Sequence, residues 1–169
     1  MKPKTPSESR SIATDMVLPG ETNPLGQMFG GELLARMDRA AGITASRHSR
    51  SHVTTVSVNN VAFSKPIPLG SIVTIEASVS RAFTSSMEIF MDVWVEDRQS
   101  GFKSKVNEAI YTFVAIDENG RPIKVPPIKP ETELEIERYN AALRRKQLAL
   151  VVAGKMDPHE ATELKALFE

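Results

Sequence analysis

Three residues near the N-terminus have types and spacings that could do chemistry together: Asn23, Gly31 and Asp38. Gly31 belongs to Phe29-Gly30-Gly31, which opens a run without proline that reads as a helix from Gly30 to about Arg47. N–H groups at a helix start have no partner within the helix and carry partial positive charge. Glycine there lets a substrate approach the backbone closely, the geometry of an oxyanion hole. An ordinary glycine entry to a helix fits the same residues. On a helical wheel with Leu33 at zero, Met37, Ala41, Leu34 and Ala45 fall between about 40° and 120°. Glu32, Arg36 and Arg39 fall between about 240° and 300°, and Asp38 lies near 140°, at the edge of the apolar face. A carboxylate at that boundary must be paired, hydrogen-bonded or used. A structural Asp bonded to a backbone N–H or an arginine satisfies that requirement as well as a catalytic one. Two helical turns separate Gly31 from Asp38, so an oxyanion donor and a carboxylate could flank an extended substrate about 10 Å apart. Asn23, before Pro24 in the preceding loop, adds an amide, although Asn-Pro is also a plain turn signal.

Other polar groups carry weaker signals. Thr84-Ser85-Ser86 could donate hydrogen bonds to a ligand or simply form a hairpin turn, and no base stands beside these hydroxyls in sequence. Lys65 and the cluster Arg144-Arg145-Lys146 could meet phosphates, or could be a loop lysine and a solvated helix face. His48 and His52, at a helix–strand junction, read as surface or capping residues. There is no cysteine, which excludes thiol nucleophiles, disulfides and thiolate metal sites, and three histidines make a His-rich metal centre an unfavourable reading. No phosphate-binding loop, dinucleotide fingerprint, metal motif or nucleophile elbow is present.

The elements that must hold these residues follow from periodicity. Val53 to Phe63 reads as a strand whose apolar phase slips at Asn59-Asn60, a bulge or bend. Val73 to Val79, Met87 to Val95 and Val106 to Ile116 each alternate with polar residues as half-buried strands. Asp97 to Gly101 and Asp117-Glu118-Asn119-Gly120 are turns. Glu131 to about Ala153 is helical, and Asp157-Pro158-His159-Glu160 fits a capped short helix. One central helix beside a run of antiparallel strands argues for an α+β fold. The expected organisation is a flexible tail over residues 1–13, one domain over 14–130 and a C-terminal helical extension over 131–169. The chain is 169 residues long, 41% hydrophobic, and balances 21 basic against 21 acidic residues. That suits one packed domain and gives no global attraction to nucleic acid or an anionic membrane. No signal peptide or membrane span is apparent, so cytoplasm is the expected location.

The order of short motifs resembles the acyl-CoA hydrolases of the hot-dog fold. The resemblance rests on Leu18-Pro19-Gly20-Glu21-Thr22-Asn23-Pro24-Leu25-Gly26-Gln27-Met28-Phe29-Gly30-Gly31, Met37-Asp38-Arg39-Ala40-Ala41-Gly42, Val53-Thr54-Thr55-Val56-Ser57-Val58, Phe63-Ser64-Lys65-Pro66-Ile67 and Thr84-Ser85-Ser86-Met87-Glu88-Ile89. It covers about residues 14 to 145 and is most similar to the branch that includes brain acyl-CoA hydrolase and its single-domain bacterial relatives. It implies a long antiparallel sheet wrapped around the central helix, a homodimer with active sites at the subunit interface, and often a trimer of dimers. On matching positions it implies Asp38 as catalytic carboxylate, Asn23 contributed from the facing subunit and Gly31 as oxyanion donor. Coenzyme A would pass Phe29, Gly30 and Val56, the Thr84-Ser85-Ser86 turn and Lys65. Acyl-CoA would be the substrate, with no separate cofactor, no metal, and no nucleic-acid or membrane partner. Two rivals are a hot-dog enoyl-CoA hydratase and a non-enzymatic acyl-CoA sensor. Hydratases resemble a pattern with His five residues after the Asp, where this chain has Ile43; the presence of both Asn23 and Asp38 speaks against a sensor.

Overall fold

A computed structural model of the chain describes residues 1–59 and 61–169. In chain order the elements are β1 (Ser11–Met16), α1 (Gly30–Ser49), β2 (His52–Asn59), β3 (Ile72–Ala82), β4 (Ser86–Glu96), β5 (Lys103–Ile116), α2 (Glu133–Val152) and α3 (Thr162–Lys165). The five strands form one sheet in the order β1-β3-β4-β5-β2, with every pair antiparallel. The sheet curls around α1, which packs against all five strands. This is the hot-dog fold of the α+β class.

The helix can sit this deep because its buried side is small. Ala40, Ala41, Thr44 and Ala45 follow Leu33 and Met37 on that face and let the sheet come close. The opposing side is the alternating set Val73, Ile75, Ala77 and Val79 of β3 with Met87, Ile89, Met91 and Val93 of β4. Tyr111, Phe113 and Ala115 of β5 complete it.

Two expectations change here. Residues 1–13 are not a loose tail from Lys4 onward. Lys4 N donates to Pro127 O, Pro6 and Ser9 are buried, and Ser11–Met16 pairs with β3. Ser11 Oγ bonds Ala40 O at 3.0 Å and lies 2.8 Å from Thr44 Oγ1, which ties the edge strand to α1. In β4 the residues read as facing solvent are covered: Glu88 is only 4% exposed. The cover is α2, whose start is closed by a Thr132–Glu135 capping box. Arg145 holds the Glu88 carboxylate through Nε and Nη2 at 2.9 and 2.8 Å. Arg138 stacks over Phe90 at 3.8 Å and bonds Asp92 at 3.0 Å. The bend expected at Asn59-Asn60 falls partly on position 60, outside the described residues. The register shift in β2 sits at Val56, between Thr55 and Ser57.

His48 is also not a surface residue. It is fully buried near the end of α1, with Nε2 2.7 Å from Pro126 O, and Lys4 Nζ donates to its carbonyl. Burial is the main cause that lowers its pKa from the ordinary value. The Lys4 charge pushes the same way, while Glu8 and the Pro126 carbonyl oppose. The folded chain therefore binds the His48 proton less readily than the unfolded chain. This contribution to stability is complete above the unfolded pKa near 6.5 and declines as pH falls below it. Thermal melts between pH 7.5 and 5 should show a falling Tm that His48→Gln, which can still donate to Pro126 O, flattens. An unchanged slope in that variant would assign the acid sensitivity to other groups.

Candidate active site

Asp38 stands half-buried on α1, and its carboxylate is held from the next strand: Thr55 Oγ1 donates to Oδ1 at 2.7 Å. The bond joins residues 17 positions apart in sequence, so it depends on β2 folding back along the helix. Among the described residues Asp38 has no backbone N–H or arginine partner; its partner is a neutral hydroxyl. That leaves the carboxylate charge uncompensated. Burial pushes the phenol of nearby Tyr111 up to about 12, and the Asp38 charge acts in the same direction.

The two glycines at the start of α1 have different reasons to be glycine. A Cβ on Gly30 would come within 3.2 Å of the Phe63 ring, so this position is a close packing contact. A Cβ on Gly31 would meet nothing within 4 Å. Gly31 is exposed, and among the described residues neither Gly30 N nor Gly31 N has an acceptor. Among the described residues two N–H groups at the positive end of a 20-residue helix therefore remain free, that of Gly31 at an open surface and that of Gly30 beside the Phe63 ring. Beside them lies a cavity of about 260 Å³ whose lining includes Phe29, Gly30, Leu33, Phe63 and Lys65. Lys65 is exposed there, which brings a cation to the helix entrance.

Asn23 sits in a tight loop closed by the Thr22–Met28 bridge. Its side-chain oxygen accepts from Leu25 N at 2.9 Å and Gln27 N at 3.1 Å, leaving the Nδ2 amide to donate elsewhere. Within one chain no hydrogen bond joins Asn23 to Asp38 among the described residues. The loop is fixed to the helix by Arg36, grouped in the sequence reading with the charged face but only 7% exposed. Its Nη2 donates to Met16 O at 2.9 Å and to both Glu21 oxygens at 2.9 and 2.7 Å. Arg36 and the Leu18 N–H lower the Glu21 pKa, so this clamp stays ionised.

The other sequence candidates separate. Val56 is 54% exposed at the bulge of β2, one residue from Thr55. The Thr84-Ser85-Ser86 turn lies near the opposite end of α1. Thr84 O accepts from Val125 N, adjacent to the Pro126 whose carbonyl meets His48. His48 is 18 positions from Gly30, roughly 27 Å along a helix. One chain therefore does not bring that turn to Gly31 and Lys65. Arg145 is spent on Glu88, and Lys146 lies over Phe83 at 5.3 Å. Thr55 was missed because nothing local distinguishes its hydroxyl from those of Thr54 and Ser57 in the same strand. Among the described residues no cluster of three or more His, Asp or Glu could hold a metal, and no helix is long and apolar enough to cross a membrane.

Residues 25–102 match the model of the Thioesterase superfamily. The chain is 41% identical over 138 residues to YkhA, an uncharacterised acyl-CoA thioester hydrolase of Bacillus subtilis, covering 82% of this chain and 80% of that protein. The chain belongs to the hot-dog acyl-CoA thioesterases. The crystal structure of an apo-hexameric acyl-CoA thioesterase superposes with a TM-score of 0.87 at 35% identity, covering 90% of this chain and 98% of that one. An acyl-CoA hydrolase from Staphylococcus aureus, in complex with butyryl coenzyme A, coenzyme A and coenzyme A disulfide, superposes at 0.84 with 34% identity over 98% of this chain and 99% of its own. That thioesterase has also been solved with an aspartate, a threonine and an asparagine each replaced by alanine. Its asparagine and aspartate are 15 positions apart, and its aspartate and threonine 17. Asn23, Asp38 and Thr55 have the same types at the same two spacings.

Proposed function

We propose that this thioesterase hydrolyses acyl-CoA with Asp38 as the carboxylate that activates water or attacks directly, Gly31 N–H as the oxyanion donor and Asn23 supplied by a second copy of the chain. The observation that carries the reading is Asp38, held by Thr55 and otherwise uncompensated, two turns from free N–H groups on the same helix. In the water route Asp38 takes a proton as the water oxygen bonds to the thioester carbon. The carbonyl oxygen gains negative charge at the Gly31 N–H, where the helix terminus stabilises it. The C–S bond then breaks, and the CoA sulfur leaves as thiolate and takes up a proton. In the direct route an Asp38 oxygen attacks the thioester carbon, the C–S bond breaks to release the CoA thiolate, and water then opens the mixed anhydride to free acid and the Asp38 carboxylate. Asn23 Nδ2 would orient the water or the carbonyl.

The second copy follows from β2. Among the described residues this strand pairs on one side only, with β5, and its residues Val56 and Val58 are exposed apolar side chains at the free edge. An open edge carrying apolar side chains is a template for pairing with another strand. Antiparallel pairing of two β2 strands would join the sheets of two copies. It would also bring the Thr84-Ser85-Ser86 turn of one copy toward Lys65 of the other. Coenzyme A would then run past Val56, with its phosphates at Lys65. A trimer of such dimers accounts for a hexamer. The reaction consumes only acyl-CoA and water, so no separate cofactor or metal enters, and a cytoplasmic location without nucleic-acid or membrane partners belongs to the same proposal.

The test is release of free thiol from a series of acyl-CoAs of increasing chain length. Hydrolysis of one or more of them is the expected outcome, and the best chain length names the substrate class. Coenzyme A binding with no release from any acyl-CoA would overturn the proposal in favour of a sensor.

A further inference from the structure

Leu34, Asp38 and Gly42 stand four residues apart on α1 and so share one stripe of the helix. A strand meets each of them. The Tyr111 hydroxyl donates to Leu34 O at 3.0 Å, the Thr55 hydroxyl donates to Asp38 at 2.7 Å, and the Phe113 ring lies 3.6 Å from where a Gly42 Cβ would be. The first and third contacts come from β5 and bracket the carboxylate.

Tyr111 is 1% exposed, the bulkiest of the fully buried side chains. Phenylalanine would fill the same space without a polar atom to satisfy, so the hydroxyl is a cost unless it bonds. It bonds the carbonyl of Leu34, which in an α-helix also accepts the backbone N–H of Asp38, four residues on. Two donors thus converge on one oxygen, one from the sheet and one from the catalytic residue's own backbone. A rotation or slide of α1 against β5 breaks the first of these bonds. We propose that Tyr111 is a positioning residue for the reaction: its hydroxyl holds the helical turn that presents Asp38, so that the carboxylate keeps its place relative to Thr55 and the Gly31 N–H. This rests on the thioesterase reading above. With the phenol pushed up to about 12, the hydroxyl remains a donor throughout the pH range of an assay.

The experiment is Tyr111→Phe in the full chain, assayed by thiol release, with Tyr139→Phe as the control on α2. Displacing a reacting group by a fraction of an ångström costs rate rather than affinity. Tyr111→Phe should lower kcat about tenfold and leave KM unchanged, while Tyr139→Phe changes neither. The same substitution is then made in Asp38→Asn and followed in single turnover with enzyme in excess. A residue that acts through Asp38 has nothing left to lose there, so no further fall is expected. An unchanged kcat in Tyr111→Phe overturns the proposal while wild-type hydrolysis leaves the thioesterase reading standing. A fall of the same size in the Asp38→Asn background overturns it too, because the effect is then independent of the carboxylate. A wild-type chain that releases no thiol from any acyl-CoA removes both readings.

Discussion

Replacing Asp38 by Asn should lower kcat for acyl-CoA hydrolysis by about a hundredfold or more while the protein stays folded. Losses of this size are usual when a general base or an oxyanion-stabilising group is removed. The choice of Asn isolates the charge. An amide has nearly the volume of the carboxylate and an oxygen that can still accept from Thr55 Oγ1, so the 2.7 Å contact and the packing against β2 survive. What disappears is the ability to take a proton or to attack carbon. Asp38→Ala should show the same loss, because the chemistry rather than the contact is missing. Thr55→Ala keeps the charge and removes its anchor, so its kcat should fall by about tenfold or less, in the manner of a lost orienting contact. Thermal melts of all three should stay within a few degrees of wild type, since a half-buried carboxylate with one neutral partner contributes little to the core. A wild-type kcat in Asp38→Asn would remove the carboxylate from the mechanism and shift attention to Asn23 and the helix terminus.

How far these roles were visible in the sequence depends on the range of the interactions involved. β3, β4 and β5 announce themselves by alternation because each has one face on α1. β1 does not, because it is an edge strand whose only buried residue is Ser11, and a serine tied to the helix backbone has no hydrophobic signature. Glu88 and Asp92 read as solvent-facing for the same local reason. Their arginine partners on α2 lie 57 and 46 positions away. Arg36 looked like part of a charged face because its partner, Glu21, comes from a loop before the helix. The site divides along the same line. Gly31 and Asp38 could be paired from helix geometry alone. Thr55 and Tyr111, which hold that helix from β2 and β5, become visible only when the strands are in place. β2 lacks a one-sided buried face within a single copy, because Val56 and Val58 point their apolar side chains to solvent. Under the dimer proposed above, that edge is the one two copies would share.

Mixing two inactive variants should restore activity. If Asn23 serves a site whose Asp38 belongs to the other copy, Asn23→Ala and Asp38→Ala dimers are each nearly inactive, because every site in either lacks one of the two residues. A mixed dimer behaves differently. Two-fold symmetry makes two sites, each taking Asp38 from one copy and Asn23 from the other. In the mixed dimer one site collects both substitutions and the other collects neither. That second site is wild type, so a mixed dimer carries half the sites of the normal enzyme. Random exchange makes half of all dimers mixed, and the mixture should recover about a quarter of wild-type activity. The exchange is run by partial unfolding and refolding of equimolar variants, with each variant refolded alone as the control. The loop geometry favours recovery. Asn23 Oδ1 is committed to Leu25 and Gln27, and its amide meets neither Asp38 nor Thr55 within the chain. Arg36 and Glu21 hold the loop on α1, where Leu25 and Phe29 project as exposed apolar residues. If both residues instead served one site in their own copy, every chain in the mixture would still lack one of them, and activity would stay at the level of the separate variants. Recovery near a quarter therefore counts the subunits in a site, and adding a β2-edge substitution such as Val56→Asp to both variants should abolish it by removing the interface through which they complement.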